Sequence, residues 1–211
     1  MKDIAIYGAG GFGREIAYLI NLINKETPTW NFIGFFDDGK EKGCRNEYGE
    51  ILGGINDLNE WQTPLAVVIA IGNPNAVKHI AESIKNEQIE YPNIIAPNTI
   101  FLDRDNIEFG KGNVICSSCL FSCNVKVGDF NTFNGYISIG HDVTMGNFNS
   151  LMPAVKISGE VTIGNENFFG VNSAVLQQIK IGNNTKIGAS SLIIRKTKDG
   201  NTYVCQPTEI L

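Results

Sequence analysis

Ile107-Glu108-Phe109-Gly110 returns as Val125-Lys126-Val127-Gly128, Val143-Thr144-Met145-Gly146, Val161-Thr162-Ile163-Gly164 and Ile179-Lys180-Ile181-Gly182, a period of eighteen residues. A period of six lies inside it. From Phe109, every sixth residue is apolar: Ile115, Phe121, Val127, Phe133, Ile139, Met145, Leu151, Ile157, Ile163, Phe169, Val175, Ile181, Ile187 and Ile193. A chain that is 43% hydrophobic does not produce such an unbroken column by accident. Three hexads make one unit, which reads as a triangular coil of three short strands with small or turn-prone residues at the corners. The column points inward, and stacking the coils completes the backbone hydrogen bonds. Five coils at a strand spacing of about 4.8 Å form a prism on the order of 24 Å tall.

Upstream of the repeat the pattern changes. Asp3 to Tyr7 reads as a buried strand, Gly8-Ala9-Gly10-Gly11-Phe12-Gly13 as a glycine turn, and Arg14 to Asn24 as a helix with Ile16, Leu19, Ile20 and Ile23 on one face. The spacing G-x-G-x-x-G lets backbone amides approach a phosphate at a helix N-terminus. A second strand, Phe32 to Phe36, ends in Asp37-Asp38, where an acidic residue can meet a base or ribose. A third, Leu65 to Ile71, ends in Gly72-Asn73-Pro74 and leads to a helix near Ala76 to Asn86. The three strand ends should gather at one edge of a small parallel sheet. About 90 residues suffice for one mononucleotide-binding half, not for the two halves that a bound dinucleotide crosses, which favours a nucleotide or nucleotide sugar over NAD. Pro92-Asn93 through Pro97-Asn98 marks the junction, giving an α/β domain over 1–96 and a β-helix domain over 97–211.

Composition narrows the partners. The 211 residues hold 17 Lys plus Arg against 22 Asp plus Glu, a net charge of −5 without long like-charge runs. That is no footprint for nucleic acid or an anionic membrane. The longest apolar run is too short for a bilayer, and the N-terminus has no signal-peptide pattern, so a cytoplasmic location is expected. Five cysteines read as reduced thiols.

Of two histidines, His79 falls in a predicted helix and is assigned no role, whereas His141 follows Ile139-Gly140 and should leave a corner pointing outward, with Asp142 beside it. An imidazole oriented by a carboxylate suits a general base. Cys116, Cys119 and Cys123 lack a fourth ligand and should face different sides of a coil, so no metal site is expected. No Ser-His or Cys-His nucleophile pair is recognisable.

The hexad column resembles the hexapeptide-repeat left-handed parallel β-helix. Together with Ile6-Tyr7-Gly8-Ala9-Gly10-Gly11-Phe12-Gly13-Arg14-Glu15, Phe35-Phe36-Asp37-Asp38, Ile69-Ala70-Ile71-Gly72-Asn73 and His141-Asp142, it resembles the sialic-acid O-acetyltransferase and bacterial nucleotide-sugar N-acetyltransferase family of NeuD/PglD type. The resemblance covers nearly the whole chain. It implies a homotrimer whose α/β domain holds a nucleotide-linked amino sugar and whose prism holds acetyl-CoA. It makes His141 the catalytic base and Asp142 its support, and places Asn134 near the sugar amine. Gly8, Gly10, Gly11, Phe12, Asp37, Asp38, Gly72 and Asn73 match the nucleotide-sugar pocket. Gly159, Gly170 and Ala189 match positions beside acetyl-CoA, where a backbone amide can stabilise an oxyanion.

Three positions depart from the family pattern. Phe12 stands where many relatives carry histidine, Ser150 replaces a second histidine, and Val204-Cys205-Gln206-Pro207-Thr208 is a degenerate form of the family's C-terminal motif. The expected reaction is acetyl transfer to the 4-amino group of a nucleotide-linked dideoxy sugar for surface glycan. The alternatives are O-acetylation of sialic acid and a non-catalytic trimeric sugar-nucleotide-binding scaffold. Asp37-Asp38 would accommodate uracil or thymine as readily as guanine.

Overall fold

The first apolar run forms β1 (Lys2–Tyr7), whose last four residues are buried, in the computed structural model, which describes residues 1–205. Helix α1 (Gly11–Glu26) starts at the glycine turn and buries Ile16, Ala17, Leu19 and Ile20 against the sheet. β2 (Trp30–Phe36), β3 (Ile51–Gly53), α2 (Ile55–Asn59), β4 (Leu65–Ile69), α3 (Pro74–Ser83) and β5 (Ile89–Glu90) complete the domain. All five strands are parallel, in the order β3-β2-β1-β4-β5. The three expected strands are its centre. β3 and β5, with three and two residues, are too short to leave a periodic signal.

The prism is a left-handed parallel β-helix of two-residue strands on three flat faces. Face I runs from Ile94–Ile95 to Thr202–Tyr203, seven strands high; face II from Ile100–Phe101 to Leu192–Ile193, six high; face III from Glu108–Phe109 to Lys180–Ile181, five high. The hexad column points inward as expected, and every member but the partly exposed Phe109 is buried. The stack is taller than five coils because Ile95 and Phe101 open it one turn earlier. They pair with Ile115 and Phe121 across twenty residues rather than eighteen, since the short helix Arg104–Asn106 adds two.

The corners are more permissive in sequence than in conformation. Thirteen residues spaced by six, Ser118 to Ser190, take positive φ between 50° and 63°, and none is glycine. Phe130, Tyr136, Phe148 and Glu160 are among them, although left-handed backbone disfavours bulky residues. Eleven of the thirteen are held by a backbone bond to the coil beneath: the N–H of Asp142, for one, donates to the Cys123 carbonyl (2.9 Å) and that of Glu160 to the His141 carbonyl (2.8 Å).

A buried asparagine ladder runs up the prism at the same period. Asn113, Asn131, Asn149 and Asn167 are fully buried, and each donates its side-chain amide to the Oδ1 of the asparagine one coil below, Asn93 serving as the lowest. A second ladder, Asp129, Asn147, Asn165, Asn183 and Asp199, runs the other way, each side chain accepting from the backbone N–H one coil below.

The α/β domain sits on the lower coils of face I. Ile94, Ala96 and Val114 share a core with Ile4, Ile6 and Ile16, while Phe130 and Phe148 stack face to face, and Phe130 meets Tyr91 edge-on. Lys78 pairs with Glu166 of the prism at 2.7 Å. Ser150, also on face I, is buried. Of the C-terminal motif, Gln206, Pro207 and Thr208 lie outside the described residues.

Candidate active site

The C-terminal ends of the parallel strands bring Gly8, Asp37 and the loop after β4 to one edge. Packing demands some of the motif glycines and not others. Gly8 has φ +105°, and a Cβ there would meet the Ala70 carbonyl at 2.8 Å; a Cβ on Gly13 would overlap the Gly8 carbonyl at 1.8 Å. Gly10, Gly11 and Gly72 would meet nothing within 4 Å. Their backbone is bare at the start of α1 and beside it, where a ligand can approach the amides.

Asp37 and Asp38 hold this edge in shape. Asp37 accepts from the N–H of Ala9 (2.8 Å) and of Gly39 (2.9 Å); Asp38 accepts from the Ile55 N–H (2.8 Å) and the Tyr7 hydroxyl. Burial first, then the Asp38 contact, raise the Tyr7 hydroxyl well above the usual phenol range. Asn73 caps α3, its Oδ1 accepting from Asn75 (3.0 Å) and Ala76 (3.2 Å). Phe12 is half-buried against the α1 core.

His141 lies at the edge between faces II and III, its side chain 58% exposed. Its Nδ1 is 2.8 Å from Asp142 Oδ2, and the Asn124 amide donates to Asp142 Oδ1 at 2.7 Å. The Asn124 hydrogen bond, then that of His141, hold the Asp142 carboxyl below the usual carboxylate range. An ionised carboxylate only accepts, so Nδ1 is the donor and, in the neutral ring, Nε2 is the acceptor. The ring lies over Gly159, where a Cβ would come within 2.5 Å of Nε2. Any larger residue there would displace the imidazole.

Asn134, Gly170 and Ala189 occupy a different edge, between faces I and II. One chain therefore gathers His141, Asp142 and Gly159 at one edge and Asn134, Gly170 and Ala189 at another, with face II between them. Their amides differ too. The Gly170 N–H is spent on the Ile187 carbonyl (2.7 Å), whereas among the described residues the N–H groups of Gly159 and Ala189 have no acceptor. A Cβ on Gly170 would meet the Ala189 nitrogen at 2.5 Å, so coil stacking alone requires that glycine.

Asn134 and Gly11 both line a cleft of about 590 Å³ between α1 and the I/II edge, together with Arg14, Glu15, Tyr18 and Tyr136. Sequence reading missed these last four because only the docking of the two domains brings a helix face against a prism edge. Cys119 is buried and Cys123 exposed; among the described residues no cluster of His, Cys, Asp or Glu could hold a metal, and no helix is long and apolar enough to cross a membrane.

Residues 3–84 match the model of the PglD N-terminal domain. Over the whole chain, the structure resembles WeeI from Acinetobacter baumannii AYE, with 25% identity, TM-score 0.86 and 100% of both chains covered. It also resembles the acetyltransferase domain of PglB from Neisseria gonorrhoeae FA1090 in complex with acetyl coenzyme A, with 24% identity, TM-score 0.87 and coverage of 100% of this chain and 99% of that one. PerB from Caulobacter crescentus, in complex with CoA and GDP-perosamine, is 20% identical, with TM-score 0.82 and coverage of 100% and 98%. No curated protein matches by sequence. Residues 3–84 thus match the PglD N-terminal domain, and the whole chain shares its fold end to end with these proteins.

Proposed function

We propose that the chain is an acetyl-CoA-dependent N-acetyltransferase that acylates the 4-amino group of a nucleotide-linked amino dideoxy sugar, in the cytoplasm, for surface glycan. The observation that carries this reading is the Asn124–Asp142–His141 chain of hydrogen bonds, which leaves one basic imidazole nitrogen exposed at a prism edge. The acetyl-CoA complex of the PglB domain and the CoA and GDP-perosamine complex of PerB supply the two substrate classes.

His141 Nε2 takes a proton from the sugar amine as its nitrogen attacks the thioester carbonyl. The N–C bond forms, the C–S bond breaks, and the proton passes to the departing CoA thiolate. Asp142 stabilises the imidazolium while it exists. The free N–H of Gly159, next to the ring, is the candidate donor to the oxyanion. Holding both substrates together contributes much of the remaining rate.

The working unit is a homotrimer in this reading. Ile100, Tyr136, Leu176, Leu192 and Ile194 are exposed apolar residues on face II or its two edges. A neighbouring prism packed there would bring its II/III edge, with His141, toward the cleft that holds Asn134. Release of free thiol from acetyl-CoA, with UDP-, dTDP- and GDP-linked 4-amino-4,6-dideoxy sugars in turn, tests the reaction. One acetyl group gained by one member is the expected result; no release with any member overturns the reading in favour of O-acetylation or a binding scaffold.

A further inference from the structure

The cleft between α1 and the I/II edge carries an unbalanced negative charge. Arg14 is paired with Glu47 at 3.1 Å, which neutralises both at the cleft's rim. Glu15, on the next position of α1, also lines the cleft and has no cationic partner among the described residues. Its field reaches the cleft floor: burial first, then Cys119 and Glu15, push the Cys116 thiol up to about 12. The walls beside it are aromatic and apolar, with Tyr18, Leu19, Leu22 and Tyr136, and Asn134 supplies a neutral amide.

A diphosphate does not suit this surface, since the one arginine is paired with Glu47 and Glu15 adds a carboxylate with no cationic partner among the described residues. It suits the bare amides at Gly10 and Gly11, of which Gly11 lines the same cleft. The rest of the lining, where the Glu15 carboxylate accompanies Tyr18 and Tyr136, suits a cation on an apolar ring. We propose that Glu15 holds the amino group of the acceptor sugar as an ammonium ion, with the Tyr18 and Tyr136 rings against the deoxygenated face of the pyranose. The inference rests on the reading above, that the acceptor is a nucleotide-linked amino sugar. Glu15 is a binding and selectivity residue in it, favouring amino over hydroxy sugars before any chemistry. The ammonium first loses one proton to solvent, which frees the nitrogen lone pair; the amine then attacks as above, and transfer yields the amide and CoA thiol.

The test is Glu15→Gln, which keeps the shape and removes the charge. KM for the amino-sugar nucleotide should rise at least tenfold, while KM for acetyl-CoA and the melting temperature stay unchanged. Glu15→Asp should recover part of the loss. By calorimetry, the 4-hydroxy analogue of the same nucleotide sugar should bind wild type and Glu15→Gln equally. An unchanged amino-sugar KM, or an equal loss for amino and hydroxy ligands, overturns the proposal. If wild type transfers no acetyl group yet binds the amino sugar more tightly than its hydroxy analogue, and Glu15→Gln erases that preference, Glu15 stands and the reaction falls. Binding of neither ligand to wild type overturns both.

Discussion

The prism and the α/β domain place their candidate functional residues by opposite means. In the prism the backbone repeats every eighteen residues, and its ladder satisfies each corner whatever side chain it carries, as Phe130 and Glu160 at positive φ demonstrate. What distinguishes one corner from the next is the side chain alone, and His141 is distinguished by its two neighbours, Asp142 at 2.8 Å and the glycine at 159. In the α/β domain the distinction is made by missing side chains. Gly8 and Gly13 are required by contact, while Gly10 and Gly11 leave backbone open for no packing reason. A regular scaffold thus marks a site by an exceptional side chain, and an irregular one by an exceptional vacancy.

The largest expected effect follows from that difference. If the prism corner is indifferent to its side chain, His141→Ala should fold and assemble normally while turnover falls by about a hundredfold or more. Turnover against acetyl-CoA and gel-filtration of the same sample check both halves. Loss of assembly would show that the corner is not indifferent, and near-normal turnover would remove His141 from the base role.

The indifference should end inside the prism. Asn131 donates to Asn113 Oδ1 and to the Gly146 carbonyl, and its Oδ1 accepts from the Asn149 backbone and side-chain N–H groups. Asn131→Ala leaves several buried polar groups unpaired, at about 1–3 kcal/mol for each that finds no water. A loss of at least about 2 kcal/mol in chemical unfolding is expected. A variant as stable as wild type would mean that the column of apolar side chains carries the stack unaided.

The glycine contrast predicts a smaller pair of effects. Gly13→Ala forces a Cβ against the Gly8 carbonyl and should destabilise the domain by about 1–3 kcal/mol. Gly11→Ala should leave unfolding unchanged, because its Cβ meets nothing. It should weaken sugar-nucleotide binding several-fold by crowding the amides at the start of α1. Equal unfolding curves for the two variants would erase the distinction between packed and open glycines.

The sequence revealed most of the prism because one inward column repeats without interruption from Phe109 to Ile193. It concealed the first coil because Arg104–Asn106 shifts the register by two, and β3 and β5 because they are too short to show a period. The asparagine ladder was visible at Asn113, Asn131, Asn149 and Asn167, yet asparagine at a corner reads first as a turn residue. His141 and Asp142 could be placed together because they are adjacent in the chain. That Asn134 and His141 occupy separate edges follows from the one strand, Ser138–Ile139, between their corners, whereas Glu15 and Tyr136 come to one cleft only through domain docking.

That docking supplies the smallest expected effect, and it asks whether the two regions are joined by charge or by packing. Among the described residues, Lys78 and Glu166 are the ion pair that crosses between them, but the pair is partly exposed, with Lys78 at 36%. The Glu166 hydrogen bond and charge raise the Lys78 pKa above its ordinary value of 10.5. For a cation with a raised pKa, the stabilisation is fully present below that ordinary value and disappears only as pH rises through the folded-state pKa. Because solvent screens the exposed pair, Lys78→Met should leave the melting temperature unchanged within error even at pH 7, where the contribution is fully present, and whatever difference exists should vanish in strongly alkaline solution. Phe130→Ala in the same interface removes a buried ring, stacked on Phe148 and edge-on to Tyr91, and should cost about 3 kcal/mol. A larger loss from Lys78→Met than from Phe130→Ala would mean that electrostatics, rather than the aromatic stack, fixes the α/β domain on face I and so sets the shape of the cleft.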